Sequence, residues 1–151
     1  MFMQQEIMIK PVIIEHIPEI ARMEIDSFPG PWTENMLKES LSGNHIFLGA
    51  FGGGQLYGYI IITKLLDEIS IDNLCVKKEC RNRGTGKLLI SYVLDLAGTN
   101  KTRKLFLEVL STNIPAIRLY ESFNFRKYGL RKKYYPDNGD AVLMKLDLTY
   151  W

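Results

Sequence analysis

The chain has 151 residues, 46% of them hydrophobic and 24% charged, with a formal net charge of +2. That is one domain of ordinary size with enough apolar residues for a sizeable core. A net charge so small argues against nucleic acid as a partner, and no apolar run approaches the roughly 20 residues of a membrane-spanning helix, so no membrane association is expected.

The first residues, MFMQQEIMIK, lack the cationic start and long apolar run of a signal peptide. Residues 7–12 read as a short strand. Pro18 suits the first turn of a helix. Ile17, Ile20, Ala21, Met23, Glu24 and Phe28 then form a mixed helical stripe to about Ser27. FPGPW (28–32) breaks it, and Thr33 can N-cap a second short helix, ENMLKESL. HIFLGAF (45–51) and QLYGYIIITKL (55–65) read as strands joined by Gly52-Gly53-Gly54, a tight turn. EISIDNLCV (68–76) alternates and makes a third consecutive strand. A glycine-containing loop leads into a helix from about Gly84 to Ala97, with Gly98 expected as its C′ residue. KLFLEV (104–109) has the near-continuous apolar character of a buried parallel strand. Asn113 can cap the helix IPAIRLYESF. FRKYGLRKKYY (125–135) and AVLMKLDL (141–148) read as closing strands around a PDNGD turn.

The expected fold is α/β (α+β-like). It is a single mixed, largely antiparallel sheet of six to seven strands with about four helices on its two faces. The order is β–α–α–β–β–β–α–β–α–β–β, in one domain over residues 1–151.

Charge is unevenly spread. Lys77, Lys78, Arg81, Arg83 and Lys87 face only Glu79 in 77–87, and 126–133 holds five cations and no acid. Cys75 and Cys80 have no second pair and no neighbouring histidine, so no metal site is expected, and the chain reads as reduced and cytoplasmic. With only His16 and His45 present, acid–base work falls to carboxylates and tyrosines.

The segment CRNRGTGKLL (80–89) sits between a strand and a helix. That geometry presents free backbone N–H groups and the positive helix end to an anion. Gly84 and Gly86 allow close approach, and Arg81, Arg83 and Lys87 add charge-assisted bonds. A Walker A loop is excluded: Leu88 stands where its hydroxyl residue belongs and Arg81 where its first glycine belongs. A dinucleotide fold is excluded by the glycine count and by the loop's place after four strands. RNRGTG matches R-x-x-G-x-G, the pyrophosphate loop of the GCN5-related acetyltransferases. On the loop residues alone, a basic helix start with no ligand stays open.

Four stretches extend that match over nearly the whole chain: FPGPWTENM (28–36), DNLCVKKECRNRGTGKLL (72–89), LFLEVLSTNIPAIRLYESFNF (105–125) and YYPDNGDAVLMKL (134–146). They resemble the RimI-type N-terminal acetyltransferases, which acetylate the N-terminal alanine of a small-subunit ribosomal protein. The resemblance implies acetyl-coenzyme A as co-substrate, no metal, and a protein N-terminus as acceptor. It makes Glu108 the general base and Tyr120 the general acid that protonates the departing thiolate. Leu74, Cys75 and Val76 become the strand that pairs with the pantetheine arm. Arg81, Asn82, Arg83, Gly84, Thr85, Gly86 and Lys87 become the pyrophosphate loop, and Asn113 a further cofactor contact. Phe28, Trp32, Tyr134 and Tyr135 are candidates for the peptide groove. FPGPW, YYPDNGD and the terminal TYW are its expected variable walls. Three departures stand out: Asn124 replaces the family's usual glycine, Leu110 replaces a frequent arginine, and FPGPW carries an extra Gly-Pro.

The residues suit an α-amine. With a pKa near ~8 it is roughly a tenth to a fifth neutral around neutral pH, whereas a lysine near ~10.4 is well under about one per cent neutral. A lone carboxylate base is therefore more adequate for a chain terminus. Taken without the resemblance, Glu108 also reads as a salt-bridge partner and Tyr120 as core. Three other functions stay open: acetylation of a lysine or small amine, coenzyme A binding without turnover, and RNA or ribosome binding through 126–133.

Overall fold

The computed structural model describes residues 6–149. Its strands are β1 (Ile7–Pro11), β2 (His45–Gly52), β3 (Gln55–Leu65), β4 (Glu68–Val76), β5 (Lys104–Leu110), β6 (Arg126–Arg131) and β7 (Ala141–Asp147). Its α-helices are α1 (Ile17–Ser27), α2 (Glu34–Ser42), α3 (Thr85–Thr99) and α4 (Ile114–Ser122), with short 3₁₀ turns at 14–16 and 78–80. The strands form one sheet in the order β1-β2-β3-β4-β5-β7-β6. Every neighbouring pair is antiparallel except β4 and β5, which are parallel and joined through α3. The expected mixed, largely antiparallel sheet and element order are borne out.

Local chemistry explains the elements. Gly53 and Gly54 both take positive φ, +58° and +79°, as a two-residue hairpin turn with the strand twist requires. Thr33 Oγ1 accepts the Met36 N–H at 3.2 Å and starts α2. Asn113 Oδ1 accepts the Ala116 N–H at 3.3 Å and starts α4. The run YIII in β3 is apolar throughout because β3 is covered on both faces. Ile60 and Ile62 join the core under α3 and α4, while Tyr59 and Ile61 join the core under α1 and α2.

Several boundaries differ from the sequence reading by a residue, among them Gly52, which pairs in β2 instead of joining the turn; others differ for a reason that the structure shows. Gly98 lies inside α3, which runs on to Thr99. Asn100 ends the helix, with its backbone N–H and its side-chain amide both donating to Leu96 O. β6 stops at Arg131 instead of Tyr135, because its partner β7 begins at Ala141, opposite Arg131. Lys133 then takes φ +53°, its N–H donates to Asp140 Oδ1 at 2.9 Å, and the two tyrosines fall in a turn. Leu148, the final residue of the strand expected over 141–148, lies just past β7.

Asn124 joins α4 to β6 at φ +71°, the left-handed conformation for which a glycine is ordinarily used. Asn124→Ala is expected to cost on the order of 1 kcal/mol, read as a lower urea midpoint. Asn124→Gly is expected to leave the midpoint unchanged or raise it.

Candidate active site

The site begins where the parallel pair comes apart. β4 and β5 are paired only from Glu68/Lys104 to Ile71/Leu107. Beyond that, β4 runs on to Val76 and β5 to Leu110 without bonding each other. A register shift between Ile61 and Ile62 of β3 leaves Asp72 as the extra residue of a bulge, at the point of divergence. On its other edge β4 stays paired with β3, Leu74 opposite Ile60 and Val76 opposite Gly58. Lys77 N–H continues that ladder to Tyr57 O at 2.8 Å. By antiparallel alternation, Leu74 and Val76 turn their backbone groups towards the fork. Gly58 makes this end of the sheet tight: a Cβ there would stand 2.7 Å from the Cys75 carbonyl oxygen.

Directly after β4 comes the glycine loop. Asn82 takes φ +62° and Gly84 φ +83°, so the chain turns sharply and α3 starts at Thr85 with Gly84 as its N-cap. Nothing lies within 4 Å of where a Gly84 Cβ would be, so the approach to the helix end is open. Thr85 Oγ1 is buried and has no hydrogen-bond partner. Arg83 and Lys87 are exposed beside it. Arg81 behaves differently, since its Nε donates to Val76 O at 3.1 Å and braces the end of β4. Gly86 lies against α4, where a Cβ would be 2.9 Å from Leu119 Cδ2.

The fork opens into a cavity of about 750 Å³. Glu108 of β5 and Tyr120 of α4 both line it, as do Leu74 and Asn113. Phe28, Trp32, Tyr134 and Tyr135 line it too, so the structure brings all four groove candidates, from two separate loops, to one cavity. Tyr150 and Trp151 lie outside the described residues. Glu108 Oε1 is 3.2 Å from Arg131 Nη1, and the nearby Glu108 carboxylate pushes the Tyr134 phenol up. Tyr120 is buried, packed edge-on to Phe125 with ring centroids 5.6 Å apart. Burial, and then the neighbouring Tyr135, push its phenol well above the ordinary tyrosine range. Its hydroxyl therefore carries a proton throughout the neutral range. Tyr135 is pushed up to about 12, by burial first and the Glu108 charge second. The Cys75 side chain points away into the α1/α2 core, its thiol raised by burial and hydrogen-bonded to Ser27 Oγ. By the same alternation the backbone groups of Cys75 face β3, opposite Tyr59, so Cys75 continues the strand between Leu74 and Val76 without turning its own polar groups into the fork.

Two residues of the site were not singled out in the sequence. Arg131 was one cation of a basic run, and only its partner on β5 distinguishes it from Lys132 and Lys133. Glu24 of α1 was one position of a helical stripe. It has no accessible surface and borders the cavity. Tyr59 Oη donates to its Oε1 at 2.8 Å, Asn73 Nδ2 donates to the same oxygen, and Trp32 N–H donates to Oε2 at 3.4 Å. Burial raises the Glu24 carboxyl and these hydrogen bonds pull it back down. The available signal was a carboxylate among apolar residues on the buried face of an amphipathic helix. Among the described residues, no group of histidine, cysteine and acidic side chains could hold a metal ion.

The site thus combines an unpaired strand edge, an open helix start and a carboxylate and a phenol lining one cavity. The chain belongs to the acetyltransferase (GNAT) family, whose model matches residues 17–125. It is 33% identical to the N-alpha-acetyltransferase RimI of Mycobacterium tuberculosis over 135 residues, 84% of each chain. It is 28% identical to the [ribosomal protein bS18]-alanine N-acetyltransferase of Salmonella typhimurium, over 88% of this chain and 92% of that one. Its fold superimposes on the crystal structure of the Escherichia coli ribosomal-protein-S18-alanine N-acetyltransferase with a TM-score of 0.88 and 26% identity, covering 97% of this chain and 96% of that one.

Proposed function

We propose that this chain, as one domain spanning residues 1–151, transfers the acetyl group of acetyl-coenzyme A to the free N-terminal α-amine of a protein. An N-terminal alanine of a ribosomal protein is the acceptor that best agrees with the relatives' names. The observation that carries the reading is that Glu108 and Tyr120, from different elements, face one cavity at the fork of β4 and β5.

The residues fit the co-substrate. The turned-out backbone of Leu74 and Val76 suits the amides of a pantetheine arm. The free N–H groups at the start of α3, the unpartnered Thr85 Oγ1 and exposed Arg83 and Lys87 suit a pyrophosphate. Asn113 spends its side-chain oxygen on capping α4 and keeps its amide N–H₂ for a ligand. Acetyl-coenzyme A supplies an acyl group activated as a thioester. Glu108 takes the proton of the incoming amine, directly or through a water. The backbone N–H of Val76 stabilises negative charge developing on the acyl oxygen. Tyr120 Oη supplies the proton to the leaving sulfur. Of the charged residues that line the cavity, Asp72 and Glu108 are acidic and accessible, and none is a lysine or arginine, which suits an acceptor that arrives as a cation.

The test is coenzyme A release with acetyl-coenzyme A and a hexapeptide beginning with alanine. The comparison peptide has the same sequence, a blocked N-terminus and one internal lysine. Turnover with the free terminus alone is expected. Turnover with the blocked peptide assigns the enzyme to lysine. Turnover with neither, in the presence of bound co-substrate, defeats the peptide reading in favour of a small amine.

A further inference from the structure

The loop that forms one wall of the cavity, Phe28 to Thr33, rests Phe28 and Trp32 on the α1/α2 core, with Trp32 edge-on to His45 at 5.9 Å, but its backbone is sparsely hydrogen-bonded. Pro29 and Pro31 have no N–H to donate. Among the described residues, Trp32 N–H to Glu24 Oε2 is the one hydrogen bond tying the 29–32 backbone to the body of the protein. The same carboxylate is held from behind by Tyr59 of β3 and Asn73 of β4. A leucine or methionine would continue the apolar stripe of Ile17, Ile20 and Met23 at less desolvation cost than a buried carboxylate. An apolar residue there could not accept the Trp32 N–H.

We propose that Glu24 is a positioning residue for acceptor specificity: it fixes the front loop against β3 and β4, and so sets the shape of the wall that the acceptor meets. The hydrogen-bond partners of Glu24 are Trp32 of the loop, Tyr59 of β3 and Asn73 of β4; none is on β5 or α4, which carry Glu108 and Tyr120, or on the loop at 81–87. Its loss loosens the acceptor wall and leaves the reacting groups and the co-substrate site in place. The kinetic part of this inference rests on the peptide-acetylation reading above.

The test uses Glu24→Gln, which keeps the size and gives up the charge and one acceptor, and Glu24→Asp, which keeps the charge but falls short of Trp32. Both are expected to raise KM for the peptide about tenfold, with kcat and the KM for acetyl-coenzyme A within about twofold of the parent. A fall in kcat at unchanged peptide KM, or an equal rise in both KM values, overturns the proposal. A second readout needs no turnover. Trp32 and Trp151 are the two tryptophans, so in a Trp151→Phe background the fluorescence reports Trp32 alone. Glu24→Gln and Glu24→Asp are each expected to raise its quenching by acrylamide at least twofold at a temperature where the protein stays folded. Unchanged quenching overturns the tether itself. Wild type inactive on the peptide but with Glu24-dependent quenching retires the acceptor assignment alone.

Discussion

Glu108→Gln is expected to lower kcat at neutral pH by about 10²- to 10³-fold, the usual contribution of a positioned general base. That corresponds to about 2.7–4 kcal/mol of barrier. Glutamine keeps the size of the side chain, and Glu108 lies at the cavity mouth, with its side chain about one-third exposed, so the fold is expected to survive. The contact to Arg131 loses its charge. An exposed ion pair of this kind contributes little stability, so the loss reports on chemistry. The defect should shrink as pH rises towards 9, because the α-amine then sheds its proton without help. A variant within threefold of the parent at pH 7 would assign the base to another group.

Tyr120→Phe is expected to lower kcat by about 10²-fold while leaving the acetyl-coenzyme A KM unchanged. The ring keeps its edge-on packing on Phe125, so the melting temperature should hold. Because burial and Tyr135 push the Tyr120 phenol upward, its ionisation should produce no descending limb in the rate profile below about pH 10. The penalty should also shrink with an acetyl donor whose thiol is more acidic, since such a sulfur leaves without a proton. An equal penalty with both donors would make Tyr120 a packing residue.

The elements were legible because their patterns are local. The glycine turn, the caps at Thr33 and Asn113 and the strand at 68–76 each report on neighbours within a few residues; the structure keeps the caps and the strand, and shortens the turn to Gly53 and Gly54 because Gly52 pairs as the last residue of β2. The boundaries that moved were set by distant partners. β6 ends where β7 begins, and no property of FRKYGLRKKYY announces that. Gly98 was a plausible helix end, but the backbone and side chain of Asn100 satisfied Leu96 O instead. Asp72 became a bulge residue through the register of β3, which its own sequence does not encode.

The sequence by itself determined the order and class of the elements, the glycine-containing loop at 81–87 ahead of a helix, and the family resemblance that singles out Glu108 and Tyr120. These rest on short-range patterning and on residue types at fixed spacing. Only the tertiary structure decided that β4 and β5 part after Ile71 and Leu107, and that Arg131 alone of its basic run meets Glu108. It also decided that Glu24 holds Trp32 from eight residues away while bonded to Tyr59 and Asn73, 35 and 49 residues distant. A strand edge left unpaired, a cation matched to a carboxylate and a buried carboxylate satisfied by three elements are properties of pairs and triples of segments. They come into being only when the chain closes on itself.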